Sequence, residues 1–242
     1  MTTTRKLIAA AALVVVLLIG GGAYWFLRDD APAGAALETA VESVQEGDSP
    51  SSGDGSTTGI EGTWTVDTET GDFTYEEATG TFAGFRIQEE LSSIGATTAV
   101  GRTDAVTGEA TIEGTTLASA TFEVDLTTIT TETSRRDDKV QEALETDQFP
   151  SASFTLTEPV DLGEAAASGT SISVTATGDL TLHGETREVE LAIDAQLVDG
   201  TIVLVAKTEL TFSDFGVEVP TSPAVVSVDD HGVLEAQILL VR

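Results

Sequence analysis

Apolar and polar residues alternate along most of this chain from Ile60 onward. In ASATFEVDLTTI, Ala120, Phe122, Val124 and Leu126 are separated by Thr121, Glu123 and Asp125. SASFTLT sets Ala152, Phe154 and Leu156 on one side, and SISVTATGDLTL does the same with Ile172, Val174, Ala176, Leu180 and Leu182. EVELAIDAQL gives Val189, Leu191, Ile193, Ala195 and Leu197; VLEAQILLV gives Leu234, Ala236, Ile238 and Leu240. A period of two puts successive side chains on opposite faces of a strand. Thr, Val and Ile dominate these runs, as pleated surfaces favour. The pattern predicts antiparallel strands with one dry and one wet face, joined by short turns. So many half-buried strands must pair into a sandwich or close into a barrel.

One helix interrupts them, over residues 134–145. Ser134 and Asp137 form an S-x-x-D capping pair, and the acid suits the positive end of the helix dipole. Val140, Ala143 and Leu144 supply a short apolar stripe, and Phe149-Pro150 closes the unit because proline disfavours helical geometry before it.

Two earlier segments have different patterns. LIAAAALVVVLLIGGGAYWFL, residues 7–27, contains no charge. At ~1.5 Å per residue it spans about 30 Å, the thickness of a bilayer's hydrocarbon core. Arg5 and Lys6 precede it, and Tyr24 and Trp25 lie where an interfacial belt belongs. Residues 1–28 therefore read as an N-terminal transmembrane helix with a cytoplasmic N-terminus; a cleaved signal segment is the competing reading, with APA at 31–33 as a cleavage site. Residues 29–59 are rich in Gly, Ser, Asp and Ala and read as a flexible acidic spacer, within which Leu37, Val41 and Val44 suit one side of a short helix. Residues 60–242 form the body.

Charge narrows the class of partner. The chain of 242 residues has a formal charge of −30. Beyond residue 28 lie all 41 acidic residues but only eight of the eleven basic ones, a net of −33. Such a body repels phosphate backbones, which argues against nucleic acid. The absence of cysteine excludes disulfides, thiol catalysis and thiolate metal sites.

The candidate chemistry is sparse. His183, one of two histidines, sits in TGDLTLHGETREVEL between two alternating runs. It reads as a hairpin turn of His183, Gly184, Glu185 and Thr186, with Gly184 supplying a positive φ. No nucleophile or second titrating group is suggested beside it. Asp229, Asp230 and His231 in VDDHGVL read as a turn before the last strand, and no helical i, i+4 pair of ligands occurs. SRRDDK, 134–139, reads as a helix start with mutually paired charges; the alternative is a rim that meets a polar headgroup. No metal or cofactor is expected.

Three stretches together resemble the YceI-like family. SRRDDKVQEALETDQFPSASFTL is similar to its S-R-D … F-P-x-x-x-F signature, GDLTLHGETREVEL to its G-D-L-T-x-H-G-x-T-x-x-V hairpin, and GTWTVD to its opening strand. FRIQEELSSIGATTAVGRTDAVTGEATIEG and FSDFGVEVP resemble the subset found in actinobacteria. The likeness spans about residues 60–242, and Arg136, Asp137, Phe149, Pro150, Phe154, His183 and Gly184 occupy signature positions. Many relatives carry an arginine shortly before the Asp-Phe-Gly-like segment, where this chain has LTFSDFG.

The resemblance implies an all-β, antiparallel, lipocalin-like β-barrel of about eight strands around an elongated apolar cavity. It implies binding of an isoprenoid-type lipid or quinone, with no catalytic residue to carry over, and allows for a homodimer. Alternation and family position together make Phe85, Ile87, Phe122, Val124, Phe149 and Phe154 candidate liners, with Leu156, Leu182, Leu191, Leu210, Phe212 and Phe215. Burying ten CH₂ groups at about 0.8 kcal/mol each gives roughly 8 kcal/mol, less the lost freedom of the ligand. The leading expectation is an extracytoplasmic, membrane-anchored protein that binds, sequesters or transports such a lipid. An enzyme acting on a hydrophobic substrate in the same cavity and a non-lipid envelope interaction module are the alternatives.

Overall fold

A computed structural model of the chain describes residues 31–46, 59–92, 95–218 and 225–242. The expected transmembrane segment, residues 1–28, lies outside the described residues. No helix among the described residues is long and apolar enough to cross a membrane. The order of elements is α1 (Leu37–Glu46), β1 (Gly62–Asp67), β2 (Phe82–Leu91), β3 (Gly95–Thr103), β4 (Val106–Glu113), β5 (Thr116–Asp125) and α2 (Ser134–Ala143). Then follow β6 (Ser151–Leu156), β7 (Val160–Asp161), α3 (Gly163–Ala167), β8 (Ile172–Leu182), β9 (Glu185–Val198), β10 (Thr201–Thr211) and β11 (Val225–Val241).

The strands form an antiparallel barrel of eight staves. Around the ring run β1, β4, β5, β6, β8, β9, β10 and β11, and pairing of β1 with β11 closes it. The long β11 serves two partners on one edge: residues 239–241 pair with β1, and residues 225–237 pair with β2, which in turn pairs with β3. Closure leaves the ring itself without an open edge, which is how such barrels avoid edge-to-edge association. The connection bearing α2, the β8–β9 turn and the 3-10 turn Phe212–Phe215 gather at one end of the barrel, here the α2 end. α3, the β4–β5 turn and the β9–β10 turn lie at the other, the α3 end.

The turns follow from their residues, with two adjustments to the expected boundaries. The β8–β9 hairpin has a two-residue turn, His183 and Gly184, at φ 52° and 78°. Positive φ at both central positions is the type I′ geometry that matches strand twist. Glu185 and Thr186 are therefore strand residues, opposite Leu182 and Thr181. VDDHGVL is not a turn before the last strand: it lies within β11, where the pairing with β2 shifts between Val228 and Gly232.

The expected capping pair is not formed. Thr133, not Ser134, holds the N-cap position, without a side-chain cap bond. Asp137 Oδ1 instead accepts from Thr131 N at 2.6 Å and Thr131 Oγ1 at 2.7 Å, tying α2 to the segment that leads into it. The charges of SRRDDK do not pair among themselves either. Arg136 reaches Glu89 at 2.8 Å and Glu132 at 3.3 Å, and Lys139 pairs with Glu142.

The largest departure from expectation concerns the spacer. Residues 31–46 pack on the outer wall of the barrel rather than standing off from it. Ala40 and Val44 of α1 are buried against Val198, Val203 and Leu239, with Leu37 and Val41 beside them. The wall can receive the helix because TIVLVA and QILLV are apolar on both faces, which marks a strand covered on both sides. Ahead of α1, Glu235 and Arg102 form a buried ion pair at 3.0 Å, with Arg86 3.7 Å from the same carboxylate. The pair grips the chain's backbone: Ala35 N donates to Glu235 at 3.0 Å, Arg86 donates to Pro32 O at 2.7 Å, and Arg102 donates to Ala33 O. Arg102 also lies over the Phe82 ring, 4.7 Å from its centroid.

Removing one member of a buried pair leaves an uncompensated charge, a loss of about 3 kcal/mol or more. Arg102→Met is expected to lower the denaturant midpoint at unchanged slope by that order. Amide exchange should accelerate across residues 31–46 before the barrel strands; unchanged protection there would show that the pair does not hold the segment.

Candidate functional site

The barrel encloses a hollow of about 230 Å³. Its wall is built from the inward parity of each strand. Ala120, Phe122 and Val124 from β5, Ala152, Phe154 and Leu156 from β6, and Ile172, Val174, Ala176, Leu180 and Leu182 from β8 all face it. β9 contributes Leu191, Ile193 and Ala195, and β11 contributes Leu234, Ala236, Ile238 and Leu240. Ser153, Thr170, Gln196, Thr208 and Glu235 are its polar residues, and the Glu235 carboxylate is engaged on the outer wall. Phe122, Val124, Ile193, Ala195 and Leu204 point inward yet are only half-buried, because the space beside them is unfilled.

What keeps the centre open is where the aromatic rings lie. Each of four inward phenylalanines is laid against a glycine in the neighbouring strand. A Cβ at Gly101 would stand 2.5 Å from the Phe85 ring, at Gly108 2.6 Å from Phe122, and at Gly232 2.5 Å from Phe212. At Gly178 a Cβ would collide with Phe154. Phe85 and Gly101 are direct cross-strand partners, as are Gly108 and Phe122. Gly178 lies diagonally from Phe154, opposite Leu156. Covering a strand glycine with an aromatic ring is a stabilising arrangement in sheets. Here it also holds each ring flat along the wall instead of across the lumen.

Of the twelve expected liners, Phe85, Phe122, Val124, Phe154, Leu156, Leu182, Leu191 and Phe212 line the hollow. Ile87, Leu210 and Phe215 do not; they pack with Leu126, Leu144 and Val217 into an apolar plug at the α2 end. Phe149 also lies elsewhere, with its ring 4.6 Å from that of His183 and against the Gly184 backbone. Ile87 and Leu210 keep the inward parity of Phe85 and Thr208 but lie farther along their strands, past the hollow, while Phe149 and Phe215 belong to the connections at that end. Missed liners include Ile60, Val106, Ile112, Ile202 and Leu204. For Ile112 the signal was the alternation in GEATIEG; in TIVLVA, apolar on both faces, alternation gives no inward side for Ile202 and Leu204.

His183 fastens two turns together. Its Nδ1 lies 3.2 Å from Phe215 O, joining the β8–β9 turn to the 3-10 turn Phe212–Phe215. Its Nε2 is 3.7 Å from Glu145, and no hydroxyl among the described residues bonds to the ring. Among the described residues, no cluster of three acidic, histidine or cysteine side chains has the geometry to hold a metal ion. Asp230 accepts from the hydroxyl and the backbone N–H of Ser213, which holds its carboxyl below the usual carboxylate range. Arg187 spans the same region, 5.8 Å from the Phe215 ring centroid and bonded to Asp214 O.

Residues 64–240 match the model of the YceI-like domain. The chain belongs to the YceI-like family. Two solved structures share the fold at low identity. A polyisoprenoid binding domain from Saccharophagus degradans implicated in plant cell wall breakdown is 18% identical, with a TM-score of 0.53, covering 75% of this chain and 98% of that one. BcnA of Burkholderia cenocepacia is 14% identical, with a TM-score of 0.53, covering 72% of this chain and 98% of that one. No curated protein matches the chain. In this YceI-like barrel the signature residues serve the wall and its fastenings: Asp137 ties down α2, Phe149 packs on the His183-Gly184 turn, and only Phe154 of the set borders the hollow.

Two outcomes are expected. Gly101→Ala should drive the Phe85 ring into the lumen and lower the capacity for an apolar fluorescent probe at least tenfold, and adding Phe85→Ala should restore it. Retained binding in the single variant would show that the glycine does not hold the ring back. At His183, the left-handed backbone should tolerate Asn, while Val should cost about 1–2 kcal/mol of stability. Equal denaturation midpoints for the two variants would contradict the turn role.

Proposed function

We propose that this protein binds a long-chain isoprenoid-type lipid in the barrel hollow, outside the cytoplasm, and sequesters or carries it there. The observation that carries the reading is the unfilled, almost wholly apolar lumen. A dry cavity of about 150 Å³ accommodates benzene, so about 230 Å³ takes roughly ten carbon atoms. That is on the order of two isoprene units held in full contact, with a gross gain of about 8 kcal/mol at ~0.8 kcal/mol per buried CH₂ group. Ala, Val and Leu along the wall offer no directional contact, so chain length and cross-section, not hydrogen bonding, set the choice of ligand. The S. degradans structure, described as a polyisoprenoid binding domain, shares this fold and supports the same ligand class.

The apolar run at residues 7–27 supports an anchored form with the barrel outside the membrane. Binding rather than catalysis fits a lumen whose wall offers few groups for acid–base work.

Native mass spectrometry of the protein purified from its membrane fraction, followed by organic extraction, tests the reading directly. An isoprenoid chain in stoichiometric amount is expected. Ile193→Glu places a carboxylate in the half-buried wall and should reduce the lipid-bound fraction at least tenfold while far-ultraviolet dichroism stays unchanged. A folded variant that retains its lipid, or a wild-type protein that never carries one, would defeat the proposal.

A further inference from the structure

The route of the N-terminal segment defines which end of the barrel meets the membrane. Pro32 O accepts from Arg86, Ala33 O accepts from Arg102, and Ala35 N donates to Glu235. From there α1 packs against Val203 and Leu239 and on to Val198, towards the α3 end. In β11, Val233 lies opposite Arg86, on the α2 side of Glu235. The chain therefore reaches the barrel wall from the α2 side and runs away from it.

The apolar run ends at Leu27, five residues before Pro32. At no more than ~3.6 Å per residue, five residues reach about 18 Å whatever path they take. A spacer of roughly thirty residues would have left the barrel free to tumble. Docking of residues 31–46 removes that freedom and leaves only a short leash.

The α2 end carries features suited to a headgroup layer. Arg135 of α2 is exposed and forms no ion pair among the described residues. Arg136, Lys139 and Arg187 belong to the same end, so it holds four of the eight basic residues beyond residue 28. Val226, at the α2 end of β11, is 62% exposed, the one large hydrophobic so exposed among the described residues. Acidic residues outnumber them at this end, among them Glu132, Asp138, Glu142, Glu145, Asp147 and Glu185. Charge alone therefore does not drive adsorption, and the leash does.

We infer that the clamp formed by Arg86, Arg102 and Glu235 on residues 32–35 holds the barrel with its α2 end against the lipid headgroups. The inference rests on the anchored form proposed above. It replaces a body held away from the membrane with one pinned to it by the end that the apolar plug closes.

The chain has no cysteine, so single labels can be placed at will. Donor dyes on Asp138→Cys in α2 and on Glu113→Cys at the β4–β5 turn would be compared in phosphatidylethanolamine–phosphatidylglycerol vesicles containing a headgroup acceptor. An eleven-residue strand such as β10 is ~36 Å long, so with barrel tilt the two ends stand roughly 25–30 Å apart. Energy transfer at Asp138→Cys should exceed that at Glu113→Cys by about threefold or more on that separation. Inserting about twenty Gly and Ser residues after Asp30 should erase the difference, because the chain's reach then exceeds the barrel.

Equal transfer from both ends, or stronger transfer from Glu113→Cys, overturns the orientation. A difference that survives the insertion also overturns it, since the leash would then not be the cause. Flotation with the vesicles is scored on the same samples. If the chain does not float, the anchored form and the orientation fall together; if it floats without an end-to-end difference, only the orientation falls. The lipid content of the same protein by mass spectrometry reports separately on the binding reading.

Discussion

The hollow depends on phenylalanine rings lying against glycines. A barrel of eight staves has an interior only wide enough to be filled by its own side chains or by one slender guest. Phe85, Phe122, Phe154 and Phe212 carry enough volume between them to fill much of it. Each instead lies flat on a neighbouring strand where Gly101, Gly108, Gly178 or Gly232 leaves no Cβ in the way. The glycines weaken their strands by removing a side chain, and the rings recover that packing from above. The outcome is a wall that is well packed laterally while the centre stays empty.

A second set of contacts keeps the wall in shape from the α2 end and from outside. The plug of Leu126, Leu144, Leu210 and Phe215 closes the α2 end, and His183 and Phe149 lock the hairpin beneath it. On the outside, the Arg102–Glu235 pair and α1 cover β10 and β11, whose outer face would otherwise be an exposed apolar strip. The division of labour explains why the residues most diagnostic of the family contribute little to the lumen itself. They secure turns and helix positions, while the hollow is lined mostly by aliphatic residues.

Burying a charge pair to hold a backbone segment is costly in desolvation, and packing alone does not require it. What the pair adds is register. Hydrogen bonds from Arg86 and Arg102 to successive carbonyls, together with Ala35 N on Glu235, fix residues 32–35 in one position on the wall, which an apolar patch would not do.

The sequence by itself determined the strands and their inward faces. Alternation from Ala120 to Leu240 is a local property, because successive side chains on a strand point to opposite sides, and nearly every residue it marked as inward lines the hollow. It also determined the His183-Gly184 turn and the helix over SRRDDKVQEA. Only the tertiary structure decided the fates of Ile87, Phe149, Leu210 and Phe215, which depend on how connections fold over the barrel end. Whether a Phe ring fills or lines the lumen was equally hidden, since it depends on a glycine one strand away. The docking of residues 31–46 was decided the same way. Their composition reads as spacer, and it took Arg86, Arg102 and Glu235, brought side by side from three strands, to give that segment a place to bind.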